Sequence, residues 1–448
     1  MQSLGSGFLH KLGKLRQLIA TYQIGFVEAH YHLTQAQIDI LWSLVNANSG
    51  SVNSVLRTEY ERHFAAVVGD GQAVSFAAAR MAFYAYMEAL GIGPGDEVIL
   101  TGFTCAVMPN AVLKRGAKPV FTDVDPVTFG ASAPAIAVAI TSKTRLIVAQ
   151  HSFGIPCDIA PIADLARSHA IPLLEDCALT LGSTIDGKAV GNWGDAAIFS
   201  TDHSKPINTM TGGVFYTQSL SIFQKVACIA RNAPELSASH QIGLFRQMQF
   251  ERRYFVPGCY PRGRFAARLL RVWERLNRLQ QLNFLADNDV PPVQIQERYP
   301  YPARMPIFLA QLGLYELTRW PAQADFRKAL LDQYLAVAEA SAASTVPPVY
   351  RDPRRRIIPL RYVFVSERAE ALNDVLGQFF DINWTWFRQP VVCATEGPQS
   401  LGYVSGSCPL SEKVGHQIVN VPCNITADWT VAAQKSLERA LRAVVSVV

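Results

Sequence analysis

The sequence predicts an α/β protein: a buried, mostly parallel central sheet flanked by helices, followed by a smaller α+β domain. Three observations carry this. Between about residues 56 and 220, short apolar runs rich in β-formers alternate with helix-length segments, the pattern of successive βαβ units. Those runs are continuously apolar, as strands covered on both faces of a parallel sheet must be. The 448 residues are 49% hydrophobic and only 17% charged, enough apolar material for a large core and too little charge for a disordered chain.

Taken in order, residues 1–55 read as an N-terminal helical arm, with Phe8, Leu9, Leu12, Leu15 and Leu18 on one face. That arm packs on the body, on a partner subunit or on a membrane surface. "SVLRTEYERHFAAVV" is helical, and "ARMAFYAYMEALGIGPGDE" is a helix closed by Gly91 and a Gly-Pro-Gly turn. Strands follow at "EVILT", "PVFTDVD", "RLIVAQHS", "IPLLEDC", "AAIFST" and "GGVFYT", with helical segments such as "APIADLARSHA" between some of them. Residues 56–300 thus form the large domain, with an arginine-rich insertion at about 220–300. It carries Arg252, Arg253, Arg262, Arg264, Arg268, Arg271, Arg275 and Arg278 around an apolar helical stripe of Phe265, Leu269, Val272, Leu276 and Leu279. Such a segment is a solvated or self-docked helix, or a surface for anionic lipid or a phosphate-bearing substrate. Residues 301–448 open on a long helical pattern and continue through strands "IIPLRYVFV" and "IVNVP" to a final helix, a second and smaller domain.

Bulk properties narrow the function. A net charge of +5 is modest for this length and gives no argument for nucleic acid. The eight cysteines form no CxxC pair and have no histidine at metal-ligand spacing, so reduced thiols and no metal are expected. No apolar run reaches the length of a membrane span, and the first residues lack a signal-peptide core. The expected location is cytoplasmic, with the inner membrane face as a peripheral option through residues 252–279.

The chemistry is sought at strand ends, where open parallel sheets bind ligands. "IPLLEDC" ends in the acid pair Glu175-Asp176, and "AAIFS" ends at Ser200, five residues before Lys205 in "STDHSKPINTMTGG". A lysine among small residues at a sheet rim can lose its proton and attack a carbonyl. A neighbouring aspartate suits pyridoxal phosphate, whose ring nitrogen must stay protonated to draw electrons. The cofactor's phosphate needs a helix N-terminus, and the small residues from Ser75 to Ala79 open one. A lone lysine in a turn is ordinarily solvated; the order along the chain is what carries weight.

With these residues in place, the sequence resembles the DegT/StrS-type sugar aminotransferases, a branch of the fold-type I, aspartate-aminotransferase-like pyridoxal-phosphate enzymes. The resemblance runs from about residue 55 to the end, through "ALGIGPGDEVILTGFTCAVMPNAVLKRGAKPVFTDVDPVTF", "QHSFGIPCDIAPI", "LLEDCALTLGS", "GDAAIFSTDHSK", "ARMPIFLAQLGLYEL" and "GSCPLSEKVGHQIVNVP". It implies that Lys205 forms a Schiff base with the cofactor and moves the proton, while Asp176 pairs with the pyridine nitrogen. It implies that Ser200 and the backbone N–H groups of Ala79 and Arg80 bind the phosphate. Cys105, after Thr104, takes the ring-stacking position, Leu179 lies by the phenolic oxygen, and His151 stands behind the first layer. The chain departs from the family's usual residues at four places: Cys105 for an aromatic, Leu179 for a glutamine, Ala79-Arg80 for a hydroxyl pair and Pro302 for an asparagine two before Arg304.

The implied reaction is a ping-pong amino transfer: a donor, with glutamate expected, converts the cofactor to pyridoxamine phosphate, which aminates a keto-sugar or related carbonyl acceptor. A homodimer with sites at its interface is implied too, with Arg304 or residues 220–260 reaching the partner. Two alternatives stand beside it. One is a same-fold dehydratase, which would carry histidine in place of Lys205; here His203 stands two residues away. The other is a non-catalytic regulator or scaffold of this fold.

Overall fold

A computed structural model describes residues 24–25, 29–46, 51–256, 259–276, 300–341, 346–382, 386–425 and 430–445. The arm's expected apolar stripe, Phe8 to Leu18, lies outside these residues.

A seven-stranded sheet forms the centre. Its strands are β1 (Gln72–Phe76), β2 (Glu97–Thr101), β3 (Lys118–Thr122), β4 (Thr144–Gln150), β5 (Leu173–Asp176), β8 (Ala196–Ser200) and β9 (Gly213–Thr217). The hairpin β6 (Thr184–Ile185) and β7 (Lys188–Ala189) stands apart with β10 (Arg355–Arg356). Spatial order in the main sheet is β1-β9-β8-β5-β4-β2-β3. Only β9 runs against the others, pairing antiparallel with both β1 and β8, so the mostly parallel sheet read from the sequence is what forms. The strands are buried because helices cover both faces.

The helices of this part of the chain are α1 (Gln35–Asn46), α2 (Ser51–Val68), α3 (Ala79–Ala89), α4 (Val107–Lys114), α5 (Ala133–Ala139), α6 (Ile159–Ser168), α7 (Leu220–Asn232), α8 (Ala238–Tyr254), α9 (Tyr260–Leu276) and α10 (Ile307–Glu339), of which α1, α8 and α9 pack on other helices. Gly91 ends α3 with φ at +73°, and the N–H groups of Gly91 and Ile92 close on the carbonyls of Glu88 and Met87. That left-handed turn is open to glycine and strained for a side chain.

The smaller domain holds β11 (Arg361–Val365) antiparallel to β12 (Ile418–Pro422), with α11 (Ala369–Leu376), α12 (Pro409–Gln417) and α13 (Thr430–Val445). Helix α10 has 33 residues, about 50 Å at 1.5 Å per residue, and joins two hydrophobic cores. Phe308, Leu312 and Trp320 belong to the core under the main sheet. Leu330, Leu331 and Tyr334 belong to the core of the smaller domain. The boundary expected after residue 300 thus falls just before a helix that both cores share.

The arginine-rich segment folds back on the body. Arg252 donates to the carbonyl of Leu33 at 2.9 Å. Arg264 forms an ion pair with the buried Asp381, and the Tyr260 hydroxyl donates to the same carboxylate at 2.7 Å. Arg253, Arg262, Phe265 and Leu269 are exposed. The side chains of Arg268, Arg271, Val272, Arg275 and Leu276, and all of Arg278 and Leu279, lie outside the described set.

Candidate active site

Strand register assembles the site. Gly213 pairs with Phe76 on one side and Ser200 on the other, so the ends of β1, β9 and β8 meet in one line. Ala79 begins α3 three residues after Phe76. A Cβ on Gly213 would stand 2.1 Å from the Ala79 nitrogen, so only glycine lets β9 pass the start of this helix. Ala78 gives that helix start no side-chain cap. An uncapped helix N-terminus flanked by a serine and a glycine backbone is chemistry fit for an anion.

The loop from Thr201 to Gly212 is tied at its base. Thr201 donates its N–H to Gly212 at 3.0 Å, and the Thr209 hydroxyl donates to the Thr201 hydroxyl at 2.7 Å. Within it the Lys205 N–H donates to the Asp202 carbonyl at 2.9 Å. Lys205 is half-buried, and its ammonium lies 4.4 Å from the centre of the Trp386 ring. Burial pulls the Lys205 pKa below the usual lysine value, against the opposing pull of Asp202, Cys105 and Asp176; the Arg361 charge adds to the lowering.

Asp176 ends β5 and is buried. Burial pushes its carboxyl upward, while the Ala178 N–H at 3.0 Å and the charges of Lys205 and His151 draw it back. Glu175, its neighbour, does not join it at the rim. Successive strand residues face opposite ways, and the fully buried Glu175 carboxylate takes N–H bonds from Gly191 at 2.7 Å, Trp193 at 2.6 Å and Gly194 at 2.8 Å. The acid pair expected at one rim is therefore split between chemistry and architecture. His151 joins the architectural half: Cys157 donates its N–H to Nδ1 at 3.1 Å, which leaves Nε2 as the donor to Glu175 at 3.0 Å. Cys177 lies within 4.8 Å of these two groups, but the N–H bonds already occupy the carboxylate.

Cys105 bridges to Val392 of the smaller domain, and Ala106 donates its N–H to the Val392 carbonyl at 2.8 Å. Leu179 is buried in the smaller domain's core with Phe103 and Phe153, an apolar contact with no polar atom to offer. The Tyr301–Pro302 peptide is cis. Arg304 bridges to Phe76 and lies 3.8 Å from Glu235, which also pairs with Arg57 at 2.9 Å.

Sequence reasoning missed the site's cover. Trp386, in the run "NWTWFRQP", reaches Lys205 from the smaller domain. Arg361 opens β11, is buried, and has its pKa pushed down to about 10 by that burial, against the pull of Asp381. Glu251 of α8 is buried, and its Oε1 lies 3.3 Å from Nδ1 of His203, in the lysine loop. The density of aromatics around Trp386 was the one local signal available.

Residues 44–243 match the DegT/DnrJ/EryC1/StrS aminotransferase family. That stretch holds Ala79, Cys105, Asp176, Ser200 and Lys205, the residues just placed together. Among relatives, the GDP-perosamine synthase of Caulobacter vibrioides is 35% identical over 199 residues, 44% of this chain and 50% of that protein. The L-glutamine:scyllo-inosose aminotransferase of Streptomyces griseus is 36% identical over 170 residues, 37% of this chain and 40% of that protein. The chain thus spans about half the length, or less, of these two curated relatives. Likeness in fold extends further. The structure of S. venezuelae DesV in complex with a ketimine intermediate aligns with a TM-score of 0.69 at 20% identity, covering 94% of this chain and 99% of that one.

Somewhat under half of the chain is thus similar to the DegT/DnrJ/EryC1/StrS aminotransferase family. The family match ends at residue 243, so the cover supplied by Glu251, Arg361 and Trp386 lies beyond it. Asp176, Ser200 and Lys205 thus lie inside the matched stretch, and the groups that cover them lie outside it.

Proposed function

We propose that this protein is a pyridoxal-phosphate-dependent aminotransferase that aminates a keto-sugar or a related carbonyl compound. The observation that carries the reading is the convergence of Lys205, Asp176 and the uncapped start of α3 at the ends of β8, β5 and β1. The residues present fit the cofactor. Ser200 and the first turn of α3 would take its phosphate, Asp176 would face its ring nitrogen, and Cys105 and Trp386 would lie to its sides. When bound, it supplies an aldehyde that bonds amines and a ring that draws electrons from the adjoining carbon.

The chain's own residues do the rest. Lys205, with its pKa lowered by burial, presents a neutral amine at lower pH than a solvated lysine does, so it can take a proton from carbon and return it on the other half-reaction. Asp176, buried and bonded to the Ala178 N–H, holds negative charge opposite that amine. Leu179 and its aromatic neighbours exclude water from one side of the pocket.

Purified protein given pyridoxal phosphate should keep a visible absorbance band through gel filtration. Lys205→Ala should lose that band, and glutamate or glutamine should bleach it in the parent. A chain that retains no cofactor at saturating concentration overturns the reading.

We further infer a homodimer, tested by sedimentation, and a peripheral contact with anionic lipid through α9. Phe265 and Leu269, one turn apart and exposed beside Arg262, support that contact. No helix among the described residues is long and apolar enough to cross a membrane. Flotation with anionic vesicles should carry the parent chain upward and leave behind a variant lacking these side chains.

A further inference from the structure

The lysine loop is touched from outside the family-matched segment at His203. This ring sits between two carboxylates. Its Nδ1 lies 3.3 Å from Oε1 of Glu251, and its Nε2 lies 3.8 Å from Oδ1 of Asp202. A ring with a carboxylate facing each nitrogen is one that carries both protons, because each N–H then has an anionic partner. Glu251 is built to serve this pair. It is 3% exposed, and Gln247, one turn earlier on α8, donates to the same Oε1 at 2.9 Å. Tyr260, which begins α9, is near enough for its hydroxyl to feel the Glu251 charge. A buried carboxylate needs such compensation, and the His203 cation provides it.

We propose that Glu251 is a positioning residue that holds His203 as an imidazolium beside Lys205, so that the arginine-rich segment sets the protonation of the lysine amine. This deepens the aminotransferase reading and concerns the same site. His203 stands two positions before Lys205, and the imidazolium's charge disfavours a second cation at the lysine. Burial works against the His203 charge, yet Asp202 and Glu251 outweigh it and raise its pKa to about 9. The groups that face Lys205 are Asp202 and His203 from its own loop, Asp176 from β5, Cys105 from the segment after β2, and Arg361 from β11. His203 faces Asp202, Lys205 and, from α8, Glu251. His203 and Lys205 feel each other's charge directly, whereas Glu251 faces the ring and acts on the lysine through it, so the imidazolium is the member of the pair that lowers the lysine pKa.

The test needs no cofactor. Competitive reductive methylation of the full-length, cofactor-free chain across a pH series, read by mass spectrometry on the peptide holding Lys205, gives the amine's titration midpoint. His203→Gln should move that midpoint upward by about one unit, the effect expected for removing one nearby charge. Glu251→Gln should move it the same way and by less, because His203 keeps Asp202 but loses its nearer carboxylate and so carries less charge where the lysine titrates. The double variant should match His203→Gln alone, since both act through one ring. Glu251→Asp should restore part of the shift, which separates charge from packing. An unmoved midpoint in His203→Gln, or additive shifts in the double variant, overturns the proposal. Either result leaves the cofactor reading standing, because that reading fails only when pyridoxal phosphate does not bind.

Discussion

Asp176, Ser200 and Lys205 stand at the rim of one sheet, on or just after neighbouring strands, and backbone hydrogen bonds fix their places. Trp386, Arg361 and Glu251 reach the same site from a loop, a second sheet and a helix of the arginine-rich segment, across a join of side-chain contacts and a few backbone bonds such as the Arg361 N–H to the Phe153 carbonyl at 3.2 Å. The rim cannot shift without breaking the sheet, so it suits groups that must meet reacting atoms within a few tenths of an ångström. The cover can be tuned one residue at a time, so it suits groups that set charge, access and specificity. Rim substitutions should therefore abolish chemistry or folding, and cover substitutions should grade it.

The largest expected effect lies at the centre of the rim. Lys205→Ala should lower the rate of amino transfer by about a thousandfold or more, the loss of both the bonding amine and the proton carrier. At 1.36 kcal/mol per tenfold, that is about 4 kcal/mol of barrier. Formation of pyridoxamine phosphate from glutamate, with pyridoxal phosphate held at saturating concentration and the product read by chromatography, measures it. A loss under tenfold would place the proton transfer on another group.

Next comes a contrast between chain neighbours. Glu175→Gln replaces one oxygen of a carboxylate that accepts three backbone N–H groups and His151 with an amide NH₂. The amide must turn a donor toward donors, and the loss should be about 3 kcal/mol of stability, seen as a lower denaturation midpoint. Asp176→Asn should leave that midpoint nearly unchanged and instead lower activity by about a hundredfold. Similar midpoints for the two variants would show that the split between architecture and chemistry drawn along β5 is false. Gly213→Ala probes the rim by shape alone. Its Cβ would meet the Ala79 nitrogen at 2.1 Å, so β9 or α3 must move. A cost of about 2 kcal/mol in stability is expected, with weaker retention of pyridoxal phosphate at equilibrium dialysis.

This contrast also explains what could be read in advance. The rim was legible because its residues follow short apolar strands whose ends face one way, so Asp176, Ser200, Lys205 and the start of α3 could be placed from chain order. Glu175 was misread for want of the pleat: the strand turns two adjacent acids to opposite faces, and a pair of letters does not show which one faces the ligand. Trp386 and Glu251 were illegible for another reason. Their nearness to Lys205 depends on how the smaller domain and α8 dock, and docking is decided by whole faces rather than by a motif. Leu179 was legible as a departure from the family, but its part in the smaller domain's core appeared only with Phe103 and Phe153 beside it.

The smallest effect should come from Trp386, and its sign makes it informative. An aromatic face stabilises the ammonium above it by about 0.5–1 kcal/mol, and the ring centre lies 4.4 Å from the Lys205 nitrogen. Trp386→Leu keeps the apolar cover but removes the ring, so the protonated lysine loses a partner while its burial persists. The titration midpoint of Lys205 should fall, by about half a unit, and the acidic limb of the pH–rate profile should fall with it. His203→Gln moves the same midpoint upward. Two cover residues acting on one amine in opposite directions would show that the cover tunes the rim. A rise in Trp386→Leu would mean instead that the indole's main effect is to exclude water, and its contact with the ammonium would then be secondary to its bulk.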